Sequence, residues 1–146
     1  MRAHQRAHRP TARVEYALPQ EPASAGRARK LTSAFLARSH RRTASADADP
    51  ADPVDAERVD DATLIVSELV SNAVRHAHGG CRLRVEVSGG RVTVEVYDAS
   101  PVRPRLLTPS ADRESGRGLV MVRQLAERLE VVGAHRGGKT VRAVLA

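Results

Sequence analysis

Residues 56–98 read AERVDDATLIVSELVSNAVRHAHGGCRLRVEVSGGRVTVEVYD, and their hydrophobic period changes partway. Val59, Ala62, Ile65, Val66, Leu69, Ala73, Val74 and Ala77 recur every three or four positions. That spacing predicts one long helix over about 56–77 with an apolar stripe. Asp60 and Asp61 suit its first turn, Arg75 and His76 suit its last, and Gly79-Gly80 stops it. Beyond the glycines, Leu83, Val85 and Val87 alternate with Arg82, Arg84 and Glu86. Gly89-Gly90 marks a two-residue turn, and Val92, Val94 and Val96 alternate with Arg91, Thr93 and Glu95 on the return. A one-sided helix and a one-sided hairpin cover each other's apolar faces. The stretch therefore predicts an α+β fold, a two-layer sandwich with helices on one face of a mainly antiparallel sheet.

Working outward, RVEYAL (13–18) alternates as a short strand that Pro19 and Pro22 end. Ser24 suits the N-cap of a helix through about Ser39, with Ala28, Leu31 and Phe35 on one side. Residues 41–56, RRTASADADPADPVDA, are small, charged or proline at every position but Val54 and read as a loop, with an acidic insert over 43–56. From Asp98 to Arg117 periodicity is lost among Pro101, Pro104 and Pro109. A loop of that length in a small domain is usually functional. Helical spacing returns at 118–128, and strands at 130–132 and 140–145 close the chain as a hairpin. Residues 1–13 read as a disordered basic tail ahead of a single domain over 14–146.

Composition excludes several classes. Aromatic residues are 2% of the 146, too few for the base-stacking platforms of single-strand nucleic-acid binders. One cysteine, Cys81, cannot form an internal disulfide and favours a reducing compartment. No apolar run approaches the roughly 18 residues of a membrane span, and no hydrophobic segment follows the basic N-terminus. The expectation is a soluble, cytoplasmic protein without membrane partners. The net charge is +7, unevenly spread: residues 1–45 hold ten bases and two acids, residues 46–70 one base and eight acids. The bases are almost all arginine, and no DNA-binding motif accompanies them. Compositional bias accounts for the charge better than nucleic-acid binding does.

Three places could carry chemistry. Glu68 and Asn72 stand at i and i+4, one turn apart on one helix face and outside the apolar stripe. A carboxylate beside an amide oxygen suits Mg²⁺ and the polarising of a hydroxyl, though each residue alone is equally a solvated helix position. Asp98 ends the second valine strand, where a carboxylate can accept from an exocyclic amine or open an Asx turn. In ESGRGLVMV (114–122), Gly116 and Gly118 flank Arg117 at the predicted loop-to-helix junction. Glycine backbone and free helix amides suit phosphate there.

Gly133–Thr140, GAHRGGKT, matches the phosphate-loop pattern letter for letter. Only VRAVLA follows, with β alternation and no helix to face a phosphate, so Gly137-Gly138 reads as a turn. His76 and His78 lack a third metal ligand, and Cys81 lacks a His–Asp pairing that would make it a nucleophile.

Taken in order, ELVSNAVRHA (68–77), VEVYDASPVRP (94–104), ESGRGLVMVRQLAERLEV (114–131) and GGKTVRAVL (137–145) resemble the histidine-kinase-like ATPase fold. More narrowly, they are similar to actinobacterial ATP-binding regulators of the anti-sigma-factor serine/threonine kinase type. LPQEPASAGRARKLT (18–32) joins the resemblance. It implies ATP and Mg²⁺ as cofactors, Glu68 as general base, Asn72 as the Mg²⁺ ligand and Asp98 as the reader of the adenine amino group. It further implies Gly116, Gly118 and Leu119 at a phosphate-holding lid over 98–117, Thr140 near adenine, and Arg75 and Arg117 as phosphate contacts.

The sequence departs from the wider superfamily at Asp98-Ala99-Ser100-Pro101, where D-x-G-x-G is common. Arg142 stands where an aromatic is common, and Leu129-Glu130 where Trp-Gly is. The resemblance implies an anti-anti-sigma-like partner, a sigma factor, or both, and a homodimer. The rival readings are an ATP-binding interaction module without kinase activity and a basic nucleic-acid-binding protein.

Overall fold

The computed structural model describes residues 11–45, 56–76, 79–100, 113–133 and 137–146. Strand β1 (Ala12–Leu18) leads into helix α1 (Ala23–Ser45), and α2 (Ala56–His76) precedes the hairpin of β2 (Cys81–Ser88) and β3 (Arg91–Asp98). Helix α3 (Arg113–Leu125), β4 (Arg128–Gly133) and β5 (Lys139–Leu145) complete the chain. The five strands form one sheet in the order β1-β2-β3-β5-β4, every neighbouring pair antiparallel. The three helices cover one face, which makes the α+β sandwich expected from the hydrophobic pattern.

The core lies where the patterns meet. Leu83, Val85, Val92, Val94 and Val96 of the central hairpin are fully buried against Ala62, Ile65, Val66 and Leu69 of α2 and Leu36 of α1. On the uncovered face a row of alternating charge crosses the whole sheet: Glu15, Arg84, Glu95, Arg142 and Glu130 stand in direct cross-strand register. Arg84 reaches Glu15 at 3.9 Å and Glu95 at 3.8 Å, and Arg142 reaches Glu95 at 3.5 Å. Such exposed pairs contribute at most about 1 kcal/mol each, but they leave this face well solvated without a covering layer.

Boundaries differ from the sequence reading chiefly in four places, besides α3 ending at Leu125 and β4 starting at Arg128. Strand β1 begins at Ala12, paired with Val87, so its first residues fall within the segment expected as tail. Helix α1 starts at Ala23, and the Ser24 hydroxyl donates to the Pro19 carbonyl at 2.6 Å instead of capping from outside. The same helix runs on to Ser45, into the expected acidic loop, because no proline or glycine follows Gly26 before Pro50. Helix α3 begins at Arg113, five positions earlier than expected, so Gly116 and Gly118 lie inside a helix and not at its junction with the loop. Two helical glycines cost about 1 kcal/mol each relative to alanine; burial of Leu119 and Val122 offsets that locally unfavourable composition. The remaining parts of the expected tail, insert and lid, residues 1–10, 46–55 and 101–112, lie outside the described residues.

Candidate functional site

Helix α2 fixes the position of the site. Near its start the Arg58 guanidinium donates to the Gly90 carbonyl at 2.7 Å, on the β2–β3 turn. Near its end the Val74 carbonyl accepts from Gln20 Nε2 at 3.2 Å, and Gln20 Oε1 accepts from the Gly79 amide at 2.8 Å. The helix therefore runs from the turn to the opposite rim of the sheet, where Leu18, Cys81, Asp98, Lys139 and Gly133 form the last cross-strand row. Asn72 and Asp98 lie at the same end of the fold.

Glu68, Ser71, Asn72 and Arg75 of α2 line a cleft together with Leu119 of α3. The cleft holds about 10 Å³, near the room of one water molecule. Glu68 is half-buried, Asn72 buried and Arg75 exposed. Gly118 closes the cleft from above, and a Cβ there would collide with the Glu68 carboxylate. In a helix that starts at Arg113, the Gly118 amide lies beyond the first turn and serves the helix itself. The side chain of Arg117 lies outside the described residues, as does His78.

Asp98 is almost fully buried on the helix-covered face, in phase with Val92, Val94 and Val96. Its Oδ1 accepts the Ser100 amide at 2.8 Å, the Asx turn foreseen as the ordinary role of such a residue. The same oxygen accepts Nζ of Lys139 at 2.9 Å, and Nζ also donates to the Ser100 carbonyl at 3.3 Å. Both partners of the ion pair are 3% exposed at the side chain. Sequence reasoning passed over Lys139 as a letter in a false phosphate loop. Its parity held the signal: Lys139, Val141, Ala143 and Leu145 share one face of β5.

The same parity locates Thr140. Thr140 pairs with Tyr97 and borders Glu15, Arg82, Arg84 and Glu95 on the uncovered face. It stands one residue out of phase with Asp98, so the strand residue facing Asp98 is Lys139. The phosphate-loop match joins two antiparallel strands: β5 begins directly at Lys139, paired with β4.

Cys81, opposite Asp98 across β2 and β3, is buried. Burial and then the Asp98 carboxylate push its thiol up from 9.0 to about 11, the opposite of what a nucleophile needs. Among the described residues no group of three His, Cys, Asp or Glu side chains gathers as a metal site. Mg²⁺ commonly uses one or two protein oxygens and takes the rest from phosphate and water. Asn72, buried beside Glu68 without a hydrogen bond to any described residue, fits that limited demand.

Residues 18–145 match the family model of the histidine kinase-like ATPase domain. The chain belongs to that family. Among solved structures it is similar to that of the RsbU and RsbW domains of Rv1364c from Mycobacterium tuberculosis, with a TM-score of 0.65 and 20% identity. The likeness covers 93% of this chain and 32% of that one, and it extends to the fold. Among curated proteins none matches. No described helix is long and apolar enough to cross a membrane.

Proposed function

We propose that this domain binds ATP with Mg²⁺ and, as an anti-sigma-type regulator, transfers the γ-phosphoryl group to a serine or threonine of an anti-anti-sigma-like partner. One observation carries the proposal: Glu68 and Asn72, one helical turn apart, share a cleft with Arg75 and Leu119 at the end of the fold where Asp98 lies. Asp98 is the acceptor for the adenine amino group. Arg75, exposed at the rim, offers positive charge to the phosphates. The Asn72 amide oxygen would hold Mg²⁺, which would supply charge against the phosphates.

Glu68 orients the partner's hydroxyl and takes its proton. The hydroxyl oxygen bonds to the γ-phosphorus, the bond from that phosphorus to the β–γ bridging oxygen breaks, and ADP leaves. Positioning and charge supply most of the acceleration in such a transfer, and a placed base contributes about 10²–10⁴. The cleft beside Glu68 holds about 10 Å³, so in this reading the first turns of α3 withdraw from Glu68 as the triphosphate enters. Gly116 and Gly118 make those turns the weakest stretch of the helix, and withdrawal frees their amides for phosphate.

A sigma factor and a second copy of the chain are the other partners the family resemblance suggests. The uncovered sheet face, with arginines paired to glutamates, gives no run of unpaired positive charge of the kind nucleic acid needs. The test is to capture the partner from its native cell on immobilised protein, then supply ATP. Mass spectrometry should show one phosphate on the partner's serine or threonine with wild type and none with Glu68→Ala. Binding of ATP with no transfer by either would favour an interaction module of the same fold.

A further inference from the structure

Asp98 has two carboxylate oxygens, and the fold engages one. Oδ1 takes both donors, the Ser100 amide and the Lys139 ammonium. Among the described residues no donor reaches Oδ2. Gly138, at a φ of +85°, makes this arrangement accessible: a Cβ there would lie 2.7 Å from the Asp98 carbonyl oxygen and 3.2 Å from Ala99 Cα. The start of β5 thus runs directly against the 98–99 peptide, which delivers Lys139 to the carboxylate.

An apolar residue at 139 would continue the buried row of Val141, Ala143 and Leu145. A buried ion pair adds little net stability over well-packed apolar side chains, so the charge calls for another reason. We propose that Lys139 is the positioning residue of the base-reading site and selects 6-amino over 6-oxo purines. It anchors Oδ1, balances the charge of a desolvated carboxylate, and leaves Oδ2 as the single acceptor open to an exocyclic amine. A 6-oxo purine presents an oxygen at that place, acceptor against acceptor. Sites built around such a hydrogen bond discriminate strongly, because the mismatched group is left desolvated and unpaired. The inference rests on the nucleotide reading above and adds to it a residue outside the motif roles.

The test measures Kd for ATP and for its 6-oxo analogue inosine triphosphate by calorimetry, on wild type and three variants. Wild type should prefer ATP by about tenfold or more. Lys139→Met, confirmed folded by circular dichroism, should lose most of that preference, with ATP weakened and inosine triphosphate little changed. Asp98→Asn should reverse the preference. Its amide oxygen stays under the Ser100 amide and the Lys139 ammonium, which turns the amide NH₂ to where Oδ2 was. Adding Lys139→Met to Asp98→Asn should shrink the reversal.

A folded Lys139→Met protein with the wild-type ratio would overturn the proposal. If Lys139→Met fails to fold, the Asp98→Asn arm decides, and continued preference for ATP there overturns it. Wild type binding neither nucleotide would instead overturn the nucleotide reading itself, a separate and recognisable result.

Discussion

The Cα of Gly118 in α3 rests against the Glu68 carboxylate in α2, with no room between them for a methyl group. The residue proposed as general base is therefore touched by α3, and the proposed function has that helix withdraw when nucleotide binds. Alanine at 118 tests the contact. Its methyl would displace Glu68, but the carboxylate is the far end of a flexible, half-buried side chain and can swing aside. Alanine also improves the helix by about 1 kcal/mol. Because the clash exists only while α3 covers Glu68, Gly118→Ala should shift the melting temperature by no more than a few degrees and leave phosphotransfer within about twofold. A loss of about tenfold or more in phosphotransfer would mean that α3 stays against Glu68 when the base acts.

Gly116 should respond differently. It lies in α3, where alanine is the better helix former by about 1 kcal/mol. If α3 must open for ATP, Gly116→Ala raises thermal stability and weakens ATP binding together, by about fivefold. A more stable protein with unchanged affinity would mean that the helix stays closed when nucleotide binds.

Glu68→Gln keeps the shape and removes the base. Phosphotransfer should fall by about 10²–10⁴ while ATP affinity stays within about twofold. Affinity and rate falling in parallel would make Glu68 a binding residue.

The Cys81 thiol supplies a pH signature. A thiol is neutral when protonated, so a pKa raised in the folded state means that folding favours the protonated form. The stability this contributes is whole below about 9 and is lost as pH climbs from there to about 11. Alkylation by iodoacetamide should be negligible at neutral pH and rise across that window, in step with a falling urea midpoint. Asp98→Asn should move the window down, since the Asp98 carboxylate is the second cause of the shift. Rapid alkylation of the native protein at neutral pH would contradict the burial described.

Much of this was legible in the chain. The two-residue period of 82–96 set the hairpin and its buried face, and the helical period of 56–77 set the helix over it, because each pattern admits one partner face. That placed Glu68, Asn72 and Asp98 on elements that meet. The start of α3 was not legible: two glycines argue locally for a loop, and only docking of Leu119 and Val122 makes the segment helical. The end of α1 was hidden for the converse reason, a charged and small-residue composition that reads as linker yet contains nothing to stop a helix before Pro50. Lys139 and Thr140 show how a motif can mislead. The letters GGKT drew attention to threonine, whereas strand parity puts the lysine beside Asp98 and the threonine on the far face.

Titration calorimetry with ATP, in the presence and absence of Mg²⁺, on wild type and Asn72→Ala tests the site most directly. Wild type should bind ATP at least about tenfold more tightly with Mg²⁺, and Asn72→Ala should bind equally with and without the metal. Failure of wild type to bind ATP, or an undiminished Mg²⁺ effect in Asn72→Ala, would contradict the convergence of α2 and the Asp98 rim on one metal-bound nucleotide.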